Sequence, residues 1–361
     1  MLQQPFLFAA AGQSLIKKDM REHMSAVDCK EIISMLQAAD LSFTNFEGTI
    51  QGSYGGWPTK TSAFAASSPS VLDTLQAFGF NMLSLCNNHS FDLGPGGILS
   101  TLEEMHKHPF LHAGIGVNMA EASRVRHKSF GKGRVALAAI DFGPQAEYVY
   151  AFDGNGAIPS RPGNNRQLIA MSSGRPLPDA QDMQRHLDGI RKASGQADFV
   201  AVYAHSHHWE QEMEMTPDWM QAYAHSCIDA GANIFICHGT PVLQGMEVYK
   251  ERPIFYGLGN FIFHTYQPAR WLERTGTKAW ESVIVQCRFH ADGNLLGITC
   301  LPIAVGGLPA EAADAAYSYS APPRLMSGSA AERTLERFSA LSAKFGVQVE
   351  PIDGKAEVRW S

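Results

Sequence analysis

Five short polar segments in this chain each follow an apolar, strand-like run. They are Asn45-Phe46-Glu47-Gly48, Asn87-Asn88-His89-Ser90-Phe91-Asp92, Ala204-His205-Ser206-His207-His208, Cys237-His238-Gly239-Thr240-Pro241 and Tyr256-Gly257-Leu258-Gly259-Asn260. Carboxylates, amides and imidazoles are the groups that ligate divalent cations or pass protons near neutral pH. An α/β scaffold delivers such groups from the carboxyl ends of its strands. The chemistry expected is therefore metal-assisted or acid–base.

The histidine cluster is the densest of these signals. On a strand, His205 and His207 share one face and His208 takes the other. The spacing leaves open which of His205 and His207 points inward. Trp209 and Glu210 follow and either wall a pocket or pack. Asp92, three residues after His89, either orients that imidazole or caps a turn. Asn260, after Gly257-Leu258-Gly259, fixes a loop or touches a substrate. Arg161, Arg166, Arg252 and Arg270 are candidates for gripping an anion, because a guanidinium pairs bidentately with carboxylate or phosphate. His225 reads as structural, and His106, His108 and His112 read as solvent or capping residues near a helix end.

The elements that must carry these groups alternate. Apolar runs predict strands over 6–11, 41–46, 81–86, 135–142, 199–204, 234–237 and 253–256. Helical spacing predicts helices over 31–39, 70–78, 97–106, 180–193 and 217–230. Ser282–Phe289 and Leu295–Ile303 alternate around Ala291-Asp292-Gly293-Asn294, a hairpin signal. The Gly-, Pro-, Asn- and Ser-rich stretch 143–182 breaks the rhythm and reads as an irregular insertion and candidate lid. The expected layout is one domain over 1–305 and an extension over 306–361. That extension is Ala-, Ser- and Pro-rich over 306–324 and closes with a helix over 330–345. Alternating β and α elements with late antiparallel strands predict a layered α/β sandwich with mixed sheets.

Composition sets the bounds. The chain has 361 residues, 45% hydrophobic and 18% charged, as in globular proteins. A net charge of −6 supplies no basic face for nucleic acid, so no nucleic-acid partner is expected. No apolar run reaches the roughly 18–20 residues that span a bilayer, and the start Met1-Leu2-Gln3-Gln4 lacks a basic leader. A cytoplasmic protein without a membrane anchor is the expectation. The six cysteines, scattered without a CxxC pair, read as buried free thiols.

Taken together, Asn45-Phe46-Glu47, Asn87-Asn88-His89-Ser90-Phe91-Asp92-Leu93-Gly94, His238-Gly239-Thr240-Pro241-Val242-Leu243-Gln244-Gly245 and Tyr256-Gly257-Leu258-Gly259-Asn260-Phe261 resemble the CapA (PgsA) family. These are poly-γ-glutamate capsule biosynthesis proteins with a calcineurin-like metallophosphoesterase fold. The resemblance runs from about Phe8 to Ile262 and implies a four-layer αββα sandwich. It places Glu47 at a bridging carboxylate, Asn88 at an amide ligand, and His89 beside the leaving group with Asp92 to orient it. It places His205 or His207 at a lone strand-end histidine and His238 in the last motif. Glu47, Asn88, His205 and His238 are then the expected metal ligands. His89, Asp92, His205 and His238 are the expected catalytic groups. Gln13, His207, His208, Asn260, Arg161 and Arg166 are the candidates for substrate contact.

Two positions depart from the family pattern. The first strand ends Gly12-Gln13 where the family has Gly-Asp, and Pro241 stands where the family has a second histidine. Asp19 is the first carboxylate along the chain after that strand. The resemblance therefore implies at most one divalent metal (Mn, Fe or Zn), or none. The leading expectation is hydrolysis of a phosphoester or γ-glutamyl-type amide in a small anionic or peptide-like substrate. The rival is metal-independent isomerase or epimerase chemistry α to a carbonyl. A third is a non-catalytic accessory role in polymer biosynthesis. The edge strands leave room for a homodimer.

Overall fold

The computed structural model describes residues 4–24, 29–61, 64–172, 174–265, 267–306 and 321–360. Two sheets stack face to face, and helices cover both outer surfaces. The first sheet runs in the order Val347–Ile352, Lys355–Trp360, Leu295–Ala304, Glu281–Phe289, Phe6–Ala10, Leu41–Asn45, Met82–Ser84 and Leu111–Ala113, with Arg324–Leu325 paired to Leu295–Ala304. Its last four strands are parallel, and the others pair antiparallel. The second sheet runs Met246–Tyr249, Arg252–Phe255, Ile234–His238, Phe199–His205, Gly133–Asp141 and Arg126–Phe130, with its four central strands parallel.

Side-chain alternation along the strands builds the layers. Phe6, Phe8 and Ala10 face inward to meet Val135, Leu137 and Ala139, and Phe199, Ala201 and Tyr203, in one core between the sheets. The intervening Ala136, Ala138 and Ile140, with Val200, Val202 and Ala204, face outward and pack beneath the helices Ala180–Ser194 and Asp218–Asp229. On the other side, Ala9 and Leu83 pack beneath Lys30–Ala38, Ser70–Phe78 and Gly94–Met105. The result is the four-layer αββα sandwich. Strands buried on both faces explain why these segments read as continuous apolar runs.

Three features differ from the sequence reading. The helix Gly328–Ala343 does not close the chain: the hairpin Val347–Ile352/Lys355–Trp360 follows it and extends the first sheet. Its Val347, Val349, Ala356 and Val358 join the same core cluster together with Leu335 and Phe338 of that helix, which the charged residues between them obscured. Within 143–182 there is order: Gly163–Asn164 pairs with Ile115–Gly116, and Ile169–Ser172 pairs with Arg175–Pro178. Strands Gln13–Leu15 and Asn260–Phe263 pair in parallel, with Gln13 opposite Asn260. Most of the segment expected to be Ala-, Ser- and Pro-rich, and the first three residues, lie outside the described residues. Among the described residues no helix is long and apolar enough to cross a membrane.

Candidate functional site

The parallel registers bring the polar segments to one end of the sandwich. In the second sheet Asp141 pairs with His205, and His205 with His238, so three strand ends lie side by side. His205 continues the inward row Phe199, Ala201, Tyr203, and His238 continues Ile234, Ile236. In the first sheet Asn45 continues the inward row Leu41, Phe43 and pairs with Ser84. The loops that leave these ends carry Glu47 and Asn87 to Asp92.

Asn87 knots those loops together. Its Nδ2 donates to the Phe46 carbonyl at 2.8 Å and to Asn45 Oδ1 at 3.2 Å, and its Oδ1 accepts from the His89 amide at 3.0 Å. Asn164, from the 143–182 stretch, donates to the Asn87 carbonyl and to Asp141 Oδ2. The amide side chains so hold Glu47 and His89 in fixed positions.

Glu47, His205 and His207 form the tightest chemical cluster, with one potential ligand atom from each lying within 4.8 Å of the others. Glu47 is 3% exposed, and its Oε2 has no hydrogen-bond partner. Burial pushes its carboxyl up to about 8, against the pull of Lys60. His207 Nε2 is also buried without a partner. Burial holds His205 well below the ordinary histidine range and brings His207 down to about 3, so both rings are neutral. Neutral imidazole beside a carboxylate is a donor set for Mn, Fe or Zn. Asn88 Oδ1 and His205 Nε2 are hydrogen-bonded at 2.9 Å, with Tyr203 OH 3.1 Å from His205 Nδ1, so an ion at the cluster would replace the Asn88–His205 bond and gain Asn88 Oδ1 as a further oxygen ligand. The residues present therefore fit one divalent cation.

They do not fit a second. Gln13 Oε1 accepts the Gly239 amide at 3.0 Å, and its Nε2 donates to Asn260 Oδ1 at 3.1 Å. Asn260 Nδ2 donates in turn to the carbonyls of Pro241 and Ala279 at 3.2 and 2.9 Å. The Gln13 amide is thus already hydrogen-bonded at both of its ends. Gly239 belongs here by necessity: it has φ +124°, and a Cβ on it would lie 2.0 Å from the Ser206 carbonyl oxygen. Asp19 is turned away, bonded to Arg21 and Thr74, and the Arg21 guanidinium holds it far below the usual carboxylate range.

A dyad stands beside the cluster. Asp92 Oδ2 lies 2.7 Å from His89 Nδ1 and also accepts the Ala65 amide. Lys60 pairs with Asp92 Oδ1 at 2.9 Å and donates to the Asn88 carbonyl. Burial alone would raise Asp92, but His89 and Lys60 outweigh it and hold the carboxyl below its usual range. Burial in turn lowers His89 despite Asp92. A neutral ring whose Nδ1–H is held by Asp92 presents Nε2 as a proton acceptor.

A cavity of about 310 Å³ opens over these groups; Gln13, Glu47, Asn88, His89 and His207 line it. Lys17, Trp209, Arg270, Trp271 and Arg274 complete much of its wall. Lys17 is brought down to about 8 by burial, partly offset by Asp92 and Glu47.

Several expected contacts lie elsewhere. Arg161 bonds the carbonyls of Tyr150 and Glu147, and Arg166 pairs with Asp182 and Glu147. Both guanidiniums brace the 143–182 stretch and neither lines the cavity. His208 lies beyond the end of the strand Phe199–His205, so strand alternation does not set its direction; its Nε2 lies 3.1 Å from the Phe142 carbonyl and it does not line the cavity. His238 is outside the Glu47–His205–His207 trio: its ring lies beside Tyr203, centroids 5.6 Å apart, and neither ring nitrogen has a partner. Asn260 acts through Gln13 rather than lining the cavity. Sequence reasoning missed Lys17, Lys60, Trp271 and Arg274, which carry no motif and come from loops or a short helix.

Residues 8–265 match the family described as Bacterial capsule synthesis protein PGA_cap. The chain belongs to this family. An uncharacterized protein, y4sH, of Sinorhizobium fredii is 32% identical over 289 residues, covering 64% of this chain and 61% of that protein. The capsule biosynthesis protein CapA of Bacillus anthracis is 28% identical over 219 residues, covering 60% of this chain and 46% of that protein. A probable polyglutamine synthesis accessory protein, Rv0574c, of Mycobacterium tuberculosis is 25% identical over 286 residues, covering 76% and 69%. The chain thus spans about three fifths or less of the first two relatives. Relatives carry the names capsule biosynthesis protein, PGA biosynthesis protein and probable polyglutamine synthesis accessory protein, and the family is a metallophosphoesterase-like one.

Proposed function

We propose that this member of the PGA_cap family is a hydrolase that uses one divalent cation on an anionic substrate, cleaving a phosphoester or a γ-glutamyl-type amide. The observation that supports it is the meeting of Glu47, His205 and His207 within 4.8 Å, with Glu47 Oε2 and His207 Nε2 buried and unpartnered. Glu47, His205, His207 and Asn88 would hold the ion. A bound cation there would supply Lewis acidity and make water more acidic.

The chain's own residues do the rest. Glu47 brings the one carboxylate of the trio. His89 moves a proton at Nε2, because Asp92 engages Nδ1 and fixes the tautomer. Protonated, the same ring donates to a leaving group; neutral, it accepts. Lys60 keeps Asp92 ionised and in place.

One observation favours a second reading. Without a cation, Glu47 titrates near 8 and is a protonated acid at neutral pH, while His89 is a neutral base. An acid and a base in one cavity suit metal-independent proton transfer at a carbon α to a carbonyl.

Elemental analysis of untagged protein prepared without chelator separates the two. The hydrolase reading expects about one equivalent of Mn, Fe or Zn, with release of p-nitrophenol or p-nitroaniline from phosphoester or γ-glutamyl substrates and loss of both in Glu47→Gln. Metal-free protein that racemises the α-carbon of a peptide substrate, without rescue by added Mn²⁺ or Zn²⁺, selects the second reading. Metal-free protein inert in all assays selects an accessory role such as the M. tuberculosis relative's name describes.

A further inference from the structure

The cavity has a second end whose chemistry the proton-transfer groups do not use. The helix Pro268–Thr275 has no buried residue, yet it presents Arg270, Trp271 and Arg274 to the cavity. Arg270 and Trp271 stand four and three residues before Arg274, so each neighbours it across one helical turn. Trp271 anchors the helix, with its ring 5.8 Å from Phe263 in a small core of Leu15, Phe263 and Trp280. The Arg274 guanidinium carbon lies 5.8 Å from the centroid of Trp209 and 5.5 Å from that of Trp271, within cation–π range of both. Among the described residues neither Arg270 nor Arg274 is joined to a carboxylate. Glu214, in the adjoining cleft that Arg274 also lines, is paired with Lys278 at 2.5 Å. Arg270 donates to Gln267 Oε1 at 3.0 Å and keeps its remaining N–H groups.

We propose that Arg274 and Arg270, framed by Trp209 and Trp271, form a carboxylate subsite separate from the Glu47–His205–His207 cluster. The ligand class is a monocarboxylate carried on an apolar body. This deepens the proposed function, and it rests on that reading only for the claim that the ligand is the substrate. Three arguments carry it. Two indoles restrict a guanidinium that would otherwise sample many rotamers, so less freedom is lost on binding. A guanidinium fork matches the two coplanar oxygens of a carboxylate. Leu15, Phe263, Pro241 and the indoles give the ligand's apolar body a surface to pack on, beside the polar side that Lys17, Thr265 and Gln267 supply.

The test is a ligand-observed NMR titration of the full chain with 3-phenylpropionate, its neutral amide and phenyl phosphate. The expected result is binding of the carboxylate, weakened at least about tenfold in Arg274→Gln and in Arg270→Gln. The neutral amide should bind weakly and equally to all variants. Glu47→Gln should keep carboxylate binding, which separates this subsite from the metal cluster. Arg274→Lys, which keeps the charge and loses the fork, should recover only part of the affinity. Carboxylate affinity unchanged in Arg274→Gln overturns the subsite. Loss in Glu47→Gln but not in Arg274→Gln places the anion at the metal cluster and also overturns it. Phenyl phosphate bound as tightly as the carboxylate, and weakened at least as much in Arg274→Gln, overturns the ligand class. No step requires turnover, so an absent hydrolase activity leaves this result readable.

Discussion

Gln13 and Asn260 stand 247 positions apart and meet amide to amide, Gln13 Nε2 donating to Asn260 Oδ1 over 3.1 Å. The pair closes a buried chain of hydrogen bonds that runs from the Gly239 amide through both side chains to the carbonyls of Pro241 and Ala279. A site that could otherwise hold a charged ligand set is here cross-linked by neutral amides. This is the physical reason why the proposed cation site takes one ion at most.

Removing the Gln13 side chain should therefore damage the fold more than an ordinary polar truncation. Gln13→Ala leaves the Gly239 N–H and Asn260 Oδ1 buried without partners, at about 1–3 kcal/mol for each orphaned group. We expect a total loss of about 2–4 kcal/mol in urea unfolding. A loss below about 0.5 kcal/mol would show that water satisfies these groups and that the clasp is not structural.

Lys60 should matter for stability because of what it faces. Asp92 has no exposed side-chain surface, whereas Lys60 keeps 30% of its own. Breaking a fully buried pair costs roughly 3–5 kcal/mol, and partial exposure of Lys60 reduces that. Lys60→Met should cost about 2 kcal/mol at pH 7, with Lys60→Arg recovering most of it. Equal stability of Lys60→Met and the parent chain would rule out Asp92 as an ionised, Lys60-dependent group.

His186 sets an acid limit remote from the cluster. It is buried against Tyr223 OH and Asn165 Oδ1 at 3.0 and 3.3 Å, and burial, aided by Arg185, brings it down to about 3. Its folded value lies below the ordinary 6.5, so its contribution is full above pH 6.5. As pH falls from 6.5 toward 3, the unfolded chain takes up a proton that the folded chain refuses. Stability should then drop by about 1.4 kcal/mol for each pH unit. His186→Gln should show a shallower decline over that window in urea unfolding at pH 7, 6, 5 and 4. Parallel curves for the two proteins would contradict the assignment.

The C-terminal hairpin is part of the core rather than an appendage. Val347, Val349 and Val358 are buried in the core that also holds Leu335 and Phe338 of the preceding helix, each worth about 1.5–3 kcal/mol when fully buried. Truncation after Lys344 would also expose the edge of Leu295–Ala304. The expected outcome is loss of cooperative unfolding or aggregation, by calorimetry and light scattering. A truncated chain that unfolds cooperatively at the parent temperature would overturn this.

Much of this protein was legible in its residues. Continuous apolar runs over 6–11 and 199–204 identified the strands Phe6–Ala10 and Phe199–His205, and the polar groups that follow such runs marked one end of the sandwich. Helical spacing over Ser70–Phe78 matched the helix end for end. These features are local, because the backbone alone decides which neighbours share a face.

Tertiary structure decided which distant groups meet. Registers across the second sheet, not spacing, set His205 beside His238 and Asp141. Arg161 and Arg166 matched an anion grip by type, but Asp182 and the Glu147 and Tyr150 carbonyls engage them. Arg274, Lys60 and Lys17 carried no signal, yet they stand at the cavity or beside Asp92. Ion pairing and cavity walls depend on close approach between segments far apart in the chain, and no periodicity of a single segment encodes that approach.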